Sequence, residues 1–404
     1  MTLPLLVRRS LRQHLLSTVV TALSIALAGG LLMSVWVVKT QSQEVFTQVN
    51  AGFDAVLGAR GSKLQLVLNS IFHLDVSPGN LPESDYLAIK RNPWVALAIP
   101  IAVGDNFRGY RIVGTLPDYF TQVEYAPGKR FVLGSGRLFD PAKKEAVVGS
   151  FAAERLGLKV GDTFHPYHGL AYAANDPNLD IHPDLYVVTG ILEPSNTPAD
   201  KVIWIPLHGL QTMTGHDPKA ATDVSAVLIK MRSPQFGFML STTYNRQGNR
   251  LTLAWPISSI VSDLFSRIGW FDRVLALLAY LIAVVSAGGV LVAIYNSMAA
   301  RRRDIAILRA LGARRATVFL AIVFEAAAVG LIGMIAAFVV YGIIGTVVAE
   351  IVRAQTGVVL TPITFQPVMI WAPLGMIALC AAGGVIPAWK AYSEDVASNL
   401  APES

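Results

Sequence analysis

Four apolar stretches, Leu15 to Val38, Val274 to Met298, about Phe319 to Val348 and Pro367 to Pro387, constrain this chain more than any other feature. Each has about the 20 residues that a helix needs to cross a hydrocarbon core. Inside that core only a helix or a closed barrel satisfies its own backbone polar groups. With 53% apolar and only 15% charged residues among 404, the chain is too apolar to be wholly soluble.

Arg8, Arg9 and Arg12 precede the first stretch as the n-region of a signal peptide would. Its uncharged core is longer than an h-region and no Ala-x-Ala site closes it before Lys39, so a retained anchor is expected. Arginines also crowd between the second and third stretches, at Arg301, Arg302, Arg303, Arg309, Arg314 and Arg315. Positive charge marks the cytoplasmic side. Four spans then place both termini inside and Lys39 to Arg273 outside. These arginines largely account for the net charge of +6, which is therefore weak evidence for nucleic-acid binding. The single cysteine, Cys380, falls in the last span, so the outer domain has no disulfide and relies on its core.

Small residues recur at spacing four in the first span (Ala22, Ala26, Gly30, Ser34) and the second (Ala279, Ala283, Ala287), a pattern that lets helix backbones approach in lipid. Helix packing is expected at these faces, between protomers as well. Glu325 is the exception in spans that otherwise hold almost nothing ionisable. A structural role is expected for it, as a cap or as an ion-pair partner of Arg314 or Arg315. The scarcity of intramembrane charge argues against ion-coupled transport.

Strand-like runs at Trp94 to Val103, Tyr110 to Thr115, Glu145 to Gly149, Leu185 to Leu192, Lys201 to Pro206, Ser225 to Met231 and Arg250 to Trp255 predict a mixed α/β outer domain. Helices are expected at Leu64 to Phe72, Glu83 to Lys90 and Phe151 to Leu156. From Pro256 the apolar spacing predicts an amphipathic helix that runs directly into the second span, and Thr40 to Val49 extends the first. The scattered aromatics Trp94, Tyr119, Phe120 and Tyr125 are expected in the core.

After the second span comes Arg303-Asp-Ile-Ala-Ile-Leu-Arg-Ala-Leu-Gly312-Ala313, followed by Phe324-Glu325-Ala326. Ile305, Ile307, Leu308 and Leu311 can form an apolar contact surface, with Arg303, Asp304, Arg309 and Arg314 at its rim and Ala310, Gly312 and Ala313 between. The segment resembles the coupling region of FtsX/MacB-type ABC transporter permeases. Asp304 stands where that family usually has glutamate and Ala306 where it has glycine. Phe139 to Pro206, with Glu145-Ala-Val-Val-Gly149 and Val160-Gly-Asp-Thr-Phe164, resembles the family's periplasmic core.

The resemblance implies a membrane protein with four transmembrane α-helices and a large mixed α/β periplasmic domain of MacB periplasmic-core type, in the bacterial inner membrane. Its parts are a cytoplasmic segment 1–14, spans 15–38, 274–298, 319–348 and 367–387, a periplasmic domain 39–273, a coupling helix 299–315, a short periplasmic loop 349–366 and a cytoplasmic tail 388–404. It also implies a homodimer, or a pair with a similar permease, on a MacB/LolD-like ATPase, with a periplasmic adaptor or effector as a further partner. The role implied is export or extraction of a periplasmic or membrane-derived substrate. The alternatives are mechanotransmitting regulation of a periplasmic hydrolase, as in FtsX, and zinc-linked transport.

Gly128-Lys129-Arg130 is the only Gly-Lys pair and lacks the spacing of a phosphate-cradling loop, so ATP and Mg are expected on the partner ATPase and no cofactor in this chain. Gly134-Ser135-Gly136 has no nucleophile-elbow context, so no catalytic residue is expected. His165-Pro-Tyr-His168, with His182 and Asp184 beyond, invites a metal reading, but Pro166 breaks the helical spacing and there is no His-Glu-x-x-His. Ordinary loop histidines, and no metal, are the expectation there.

Overall fold

The computed structural model describes residues 3–13, 15–48, 51–170, 172, 179–300, 313–361 and 364–393. The chain forms two compact units, a helical one (Met1–Gln41, Ile268–Ala349, Thr361–Ser404) and an α/β one (Ser42–Arg267 with Glu350–Leu360).

Among the described residues, four helices are long and apolar enough to cross a membrane. They are Leu15–Gln48, Ile257–Ala300, Arg315–Thr356 and Val368–Ser393, of 34, 44, 42 and 26 residues. At 1.5 Å per residue the first three are about 51, 66 and 63 Å long, well beyond a hydrocarbon core of about 30 Å.

Hydrocarbon gives no hydrophobic drive for one helix to seek another, so close packing must hold the helices together. The first small-residue stripe meets the third span. A Cβ on Gly30 would lie 2.6 Å from Val340 Cγ1, and one on Gly333 would lie 2.6 Å from the Ile25 Cβ. Ala26 is buried in this contact. On the second stripe Ala283 and Ala287 are buried, and the Ala287 carbonyl would stand 3.1 Å from a Cβ on Gly383. Both stripes therefore pack helices within one chain. Large apolar side chains such as Val285, Ile335 and Val339 point outward, as suits a surface solvated by lipid.

In the α/β unit the main sheet runs in the order Leu251–Ala254, Ala55–Ala59, Ala226–Met231, Val95–Phe107, Tyr110–Thr115, Ile203–Pro206, Glu145–Val148, Tyr186–Leu192, Leu133–Gly136. Val95–Phe107 is shared by two half-sheets: its first half pairs antiparallel with Ala226–Met231 and its second half with Tyr110–Thr115. The turn that reverses it, Arg108-Gly109, has φ of 50° and 85°. Those are the values of a two-residue type I′ hairpin, which usually takes Asn-Gly. The Asn106 side chain accepts the Gly109 amide at 3.0 Å and pins the turn.

Helices Lys63–Ser70, Glu83–Lys90 and Ser150–Leu156 cover the sheet. The last ends at Gly157, whose φ of 69° allows the left-handed cap. Tyr119 and Phe120 are buried, and Tyr119 stacks on Trp204 with centroids 4.5 Å apart. Trp94 stacks half-buried on Phe236 and Tyr125 packs on Phe131. Phe46, at the end of the first long helix, lies 5.5 Å from Phe72 and 6.0 Å from Phe265.

Glu350–Leu360 is part of this unit rather than a free connection. The Arg353 guanidinium pairs with Glu154 at 3.1 Å, Arg155 pairs with Glu350, and Lys201 Nζ donates to the Gln355 carbonyl at 2.6 Å. Both arginines also lie over the Phe151 ring.

Burial, and then the charge of Arg111, lower the His73 pKa from 6.5 to about 3. The unfolded chain therefore takes up a proton near pH 6.5 that the folded chain refuses. Stability from this group is complete above 6.5 and lost as pH falls toward 3. Between about pH 7.5 and about pH 5 the loss should be about 2 kcal/mol, and His73→Asn, which tolerates the residue's φ of 55°, should remove that increment from a denaturation series. Gly333→Leu should lower the stability of the helical unit by about 1–3 kcal/mol, read as earlier thermal unfolding in detergent.

Candidate functional site

The residues that the resemblance led us to expect in ATPase coupling, Arg303, Asp304, Ile305, Ile307, Leu308, Arg309, Ala310, Leu311 and Gly312, lie outside the described residues. Ala313 and Arg314 lie just before Arg315–Thr356, where the Arg314 carbonyl accepts the Thr317 amide at 2.9 Å and opens the helix. The Arg314 and Arg315 side chains are exposed.

Several contacts knit together the described helices of the helical unit. The Ser10 hydroxyl, on helix Leu3–Gln13, donates to the Glu325 carboxylate. That places Glu325 against the helix carrying Arg8, Arg9 and Arg12. Lys390 Nζ donates to the Tyr295 hydroxyl at 2.7 Å and sits 4.7 Å above its ring. The Arg315 guanidinium lies 5.8 Å above the Tyr392 ring, and Tyr392 stacks with Trp389. Tyr295 of the second span, Arg315 of the third and Lys390, Trp389 and Tyr392 of the fourth thus form a set of cationic and aromatic contacts.

A second constellation stands in the α/β unit. His168 and His182 converge on two residues that sequence spacing did not connect to them, Asp105 and His216, and the four ligand atoms lie within 4.8 Å of one another. Asp105 follows Gly104, where the register between Val95–Phe107 and Tyr110–Thr115 shifts by a bulge, a device that re-aims a side chain. The same strand pairs Asp105 with His168. His182 follows the isolated bridge between Tyr167 and Ile181, and His216 follows the helix Leu207–Gln211.

Asp105 Oδ1 lies 3.2 Å from His182 Nε2, 3.5 Å from His168 Nδ1 and 3.3 Å from His216 Nε2. The His182 Nδ1–H donates to the Thr214 carbonyl at 2.7 Å, and the His216 Nδ1–H to the Leu210 carbonyl at 2.9 Å. The hydrogen bond to Asp105 raises the His216 pKa against the opposing effect of burial.

Asp184, a candidate ligand by sequence, stands one step back. It accepts the Thr214 amide at 2.9 Å and pairs with Lys144. Burial works against its ionisation, but the bonds from Lys144 and Thr214 hold its carboxyl below the usual range. His165 Nδ1 faces the carbonyls of His182 at 3.2 Å and Asp184 at 3.1 Å. Both residues brace the loop that carries His182.

Residues 18–235 match a family described as the MacB-like periplasmic core domain, and residues 276–396 match the FtsX-like permease C-terminal family. The solved structures similar to the chain include two extracytoplasmic domains. One is the extracellular domain of the noncanonic ABC-type transporter YknZ from Gram-positive bacteria: 16% identity, 49% of this chain and 97% of that one, TM-score 0.30. The other is the periplasmic region of MacB from Actinobacillus actinomycetemcomitans: 13% identity, 53% of this chain and 94% of that one, TM-score 0.35. No curated protein sequence matches the chain.

With Glu325 as the hydrogen-bond acceptor for Ser10, Glu325→Gln should keep the fold. Glu325→Leu, which leaves the buried Ser10 hydroxyl without that acceptor, should cost about 1–3 kcal/mol of thermal stability in detergent.

Proposed function

This chain belongs to the FtsX/MacB-type family of ABC transporter permeases, and from that premise we propose that it relays the strokes of a separate cytosolic ATPase to its periplasmic domain. It is a multi-pass membrane protein with a large periplasmic domain, and the family pairs such a subunit with an ABC ATPase. The finer reading is a bacterial inner-membrane homodimer, or a pair with a similar permease, seated on two copies of a MacB/LolD-like ATPase. Its work is export or extraction of a periplasmic or membrane-derived substrate, without a path for that substrate through the bilayer.

The observation that carries this reading is the length of the helices on either side of the coupling segment. Ile257–Ala300 and Arg315–Thr356 continue for about 30 Å beyond what a bilayer needs. A helix transmits an axial push with little loss because its backbone hydrogen bonds lie along its axis. The N-terminal end of Arg315–Thr356 adjoins the coupling segment. Its C-terminal turns end among the ion pairs of Arg353 and Glu350, so a displacement of the coupling segment has a continuous element along which to travel.

Wound as a helix, the sequence of the coupling segment would combine an apolar stripe with a cationic rim. ATP binding closes the motor dimer, the apolar face of Ile305, Ile307, Leu308 and Leu311 follows the groove that holds it, and Arg309 and Arg314 set the register by charge pairing. ATP and Mg belong to the motor.

Reversal of charge at Arg309, with Leu308→Asp as a second lesion, should lower recovery of the ATPase with the tagged permease by about 10-fold or more while membrane insertion is unchanged. Unchanged recovery and unchanged ATPase stimulation in both variants would remove the coupling assignment.

A further inference from the structure

We propose that Asp105, His168, His182 and His216 form a tetrahedral binding site for a divalent cation of the zinc class. Three observations converge on it, and each concerns the α/β unit alone.

The first is spacing. Zinc takes nitrogen and carboxylate ligands at about 2.0–2.1 Å, which puts tetrahedral ligand atoms about 3.3–3.4 Å apart. The distances found are 3.2, 3.5 and 3.3 Å from Asp105 Oδ1 to His182, His168 and His216, and 3.3 Å from His168 Nδ1 to His182 Nε2. These are four of the six edges of such a tetrahedron, and the remaining two are within 4.8 Å.

The second is tautomer. His182 and His216 each donate Nδ1–H to a backbone carbonyl, of Thr214 and Leu210. In the neutral ring that leaves Nε2 as a bare lone pair, and both lone pairs face the oxygens of a carboxylate. Lone pair against lone pair is repulsive unless a cation or added protons lie between. A histidine ligand commonly donates its second nitrogen in this way, which fixes the ring for the metal. Behind the first ring, Asp184 holds Thr214 in place.

The third is the carboxylate. Asp105 is fully buried, and its Oδ2 makes no hydrogen bond among the described residues although His216 Nε2 stands 3.3 Å away. Burying a carboxylate with an unpaired oxygen is costly. A bound cation compensates it directly.

Chemistry selects the ion. Three imidazoles and one carboxylate suit zinc and its neighbours at the end of the first transition row, whereas magnesium and calcium want six or more oxygens. Four protein ligands close the tetrahedron, so the ion is held and no position is left for an activated water. His168 is half exposed while His182 is almost wholly buried, which gives the ion an entrance on the His168 side. Bound there, it ties the short strand Tyr167–His168, the His182 loop and the turn at His216 to the central strand Val95–Phe107.

The test uses the full-length protein in detergent, purified through a tag without histidine, stripped with a chelator and dialysed against Zn²⁺ or Co²⁺. About one ion per chain is expected, with the intense visible absorption of tetrahedral Co²⁺, no competition by excess Mg²⁺, and a rise in melting temperature on loading. Asp105→Asn and His168→Ala should each weaken binding by about 100-fold or more, and His208→Ala, an exposed histidine that is not one of the four ligands, should not. His168 is half exposed, so its variant keeps the fold if the buried Asp105 variant does not. Substoichiometric binding, or binding unchanged in a folded His168→Ala protein, would overturn the site and leave a cluster stabilised by protons. The assay needs no ATPase, so its outcome is independent of the coupling proposal.

Discussion

Backbone amides and carbonyls find no water in a bilayer, and the architecture of the helical unit follows from satisfying them within each helix. Once the four helices exist, burial of apolar surface no longer distinguishes helix contact from lipid contact. The contacts are therefore made where side chains are smallest: Gly30 under Val340, Gly333 against Ile25, Gly383 against the Ala287 backbone. Close backbone approach at these points fixes the mutual position of the spans, and with it the helix ends that flank the coupling segment. The Ser10 bond to Glu325 and the contacts of Lys390 with Tyr295 and Arg315 with Tyr392 are local additions to that frame.

The α/β unit is organised around one element in a different way. Val95–Phe107 lends its first half to one half-sheet and its second half to another, so every later strand is placed relative to it. The bulge at Gly104 and the tight turn at Arg108-Gly109 act within a few residues of each other, and between them they aim Asp105 at the three histidines. The same unit takes in the last turns of Arg315–Thr356, held by Arg353, Arg155 and Lys201. Exposed ion pairs of this sort contribute little singly, and here they act together with the guanidinium contacts on Phe151. The proposed relay rests on the long helices Ile257–Ala300 and Arg315–Thr356, while the cluster depends on a sheet that brings distant residues together.

Much of the fold was legible in the sequence because its signals are local. Tyr110–Thr115 and Glu83–Lys90 emerge where periodicity put them, with turn residues on both sides. Ala55–Ala59 and the helix Pro234–Tyr244 escaped: the strand is a short Ala- and Gly-bearing run, and the helix carries Pro234 and Gly237 with aromatics on several faces. The segment after the third span reads as a short connection because Glu350, Arg353 and Gln355 end the apolar run, yet the helix continues to Thr356 and Glu350–Leu360 is part of the α/β unit. The histidine cluster was half visible. His168 and His182 drew attention as neighbours in sequence, but Asp105 and His216 join them only through strand pairing and a turn. Asp184, the carboxylate nearest in sequence, proved to support the loop instead.

The claim at the centre of this account is that motor turnover displaces the periplasmic domain. Its most direct test is an electron spin resonance distance measurement between protomers, with a single label at exposed Lys219 in a Cys380→Ser background, in the complex with its ATPase. The account predicts a change of several ångströms between the nucleotide-free and ATP-trapped states, abolished by charge reversal at Arg309. A distance distribution that stays the same in both states, in a complex whose ATPase is turning over, would contradict it.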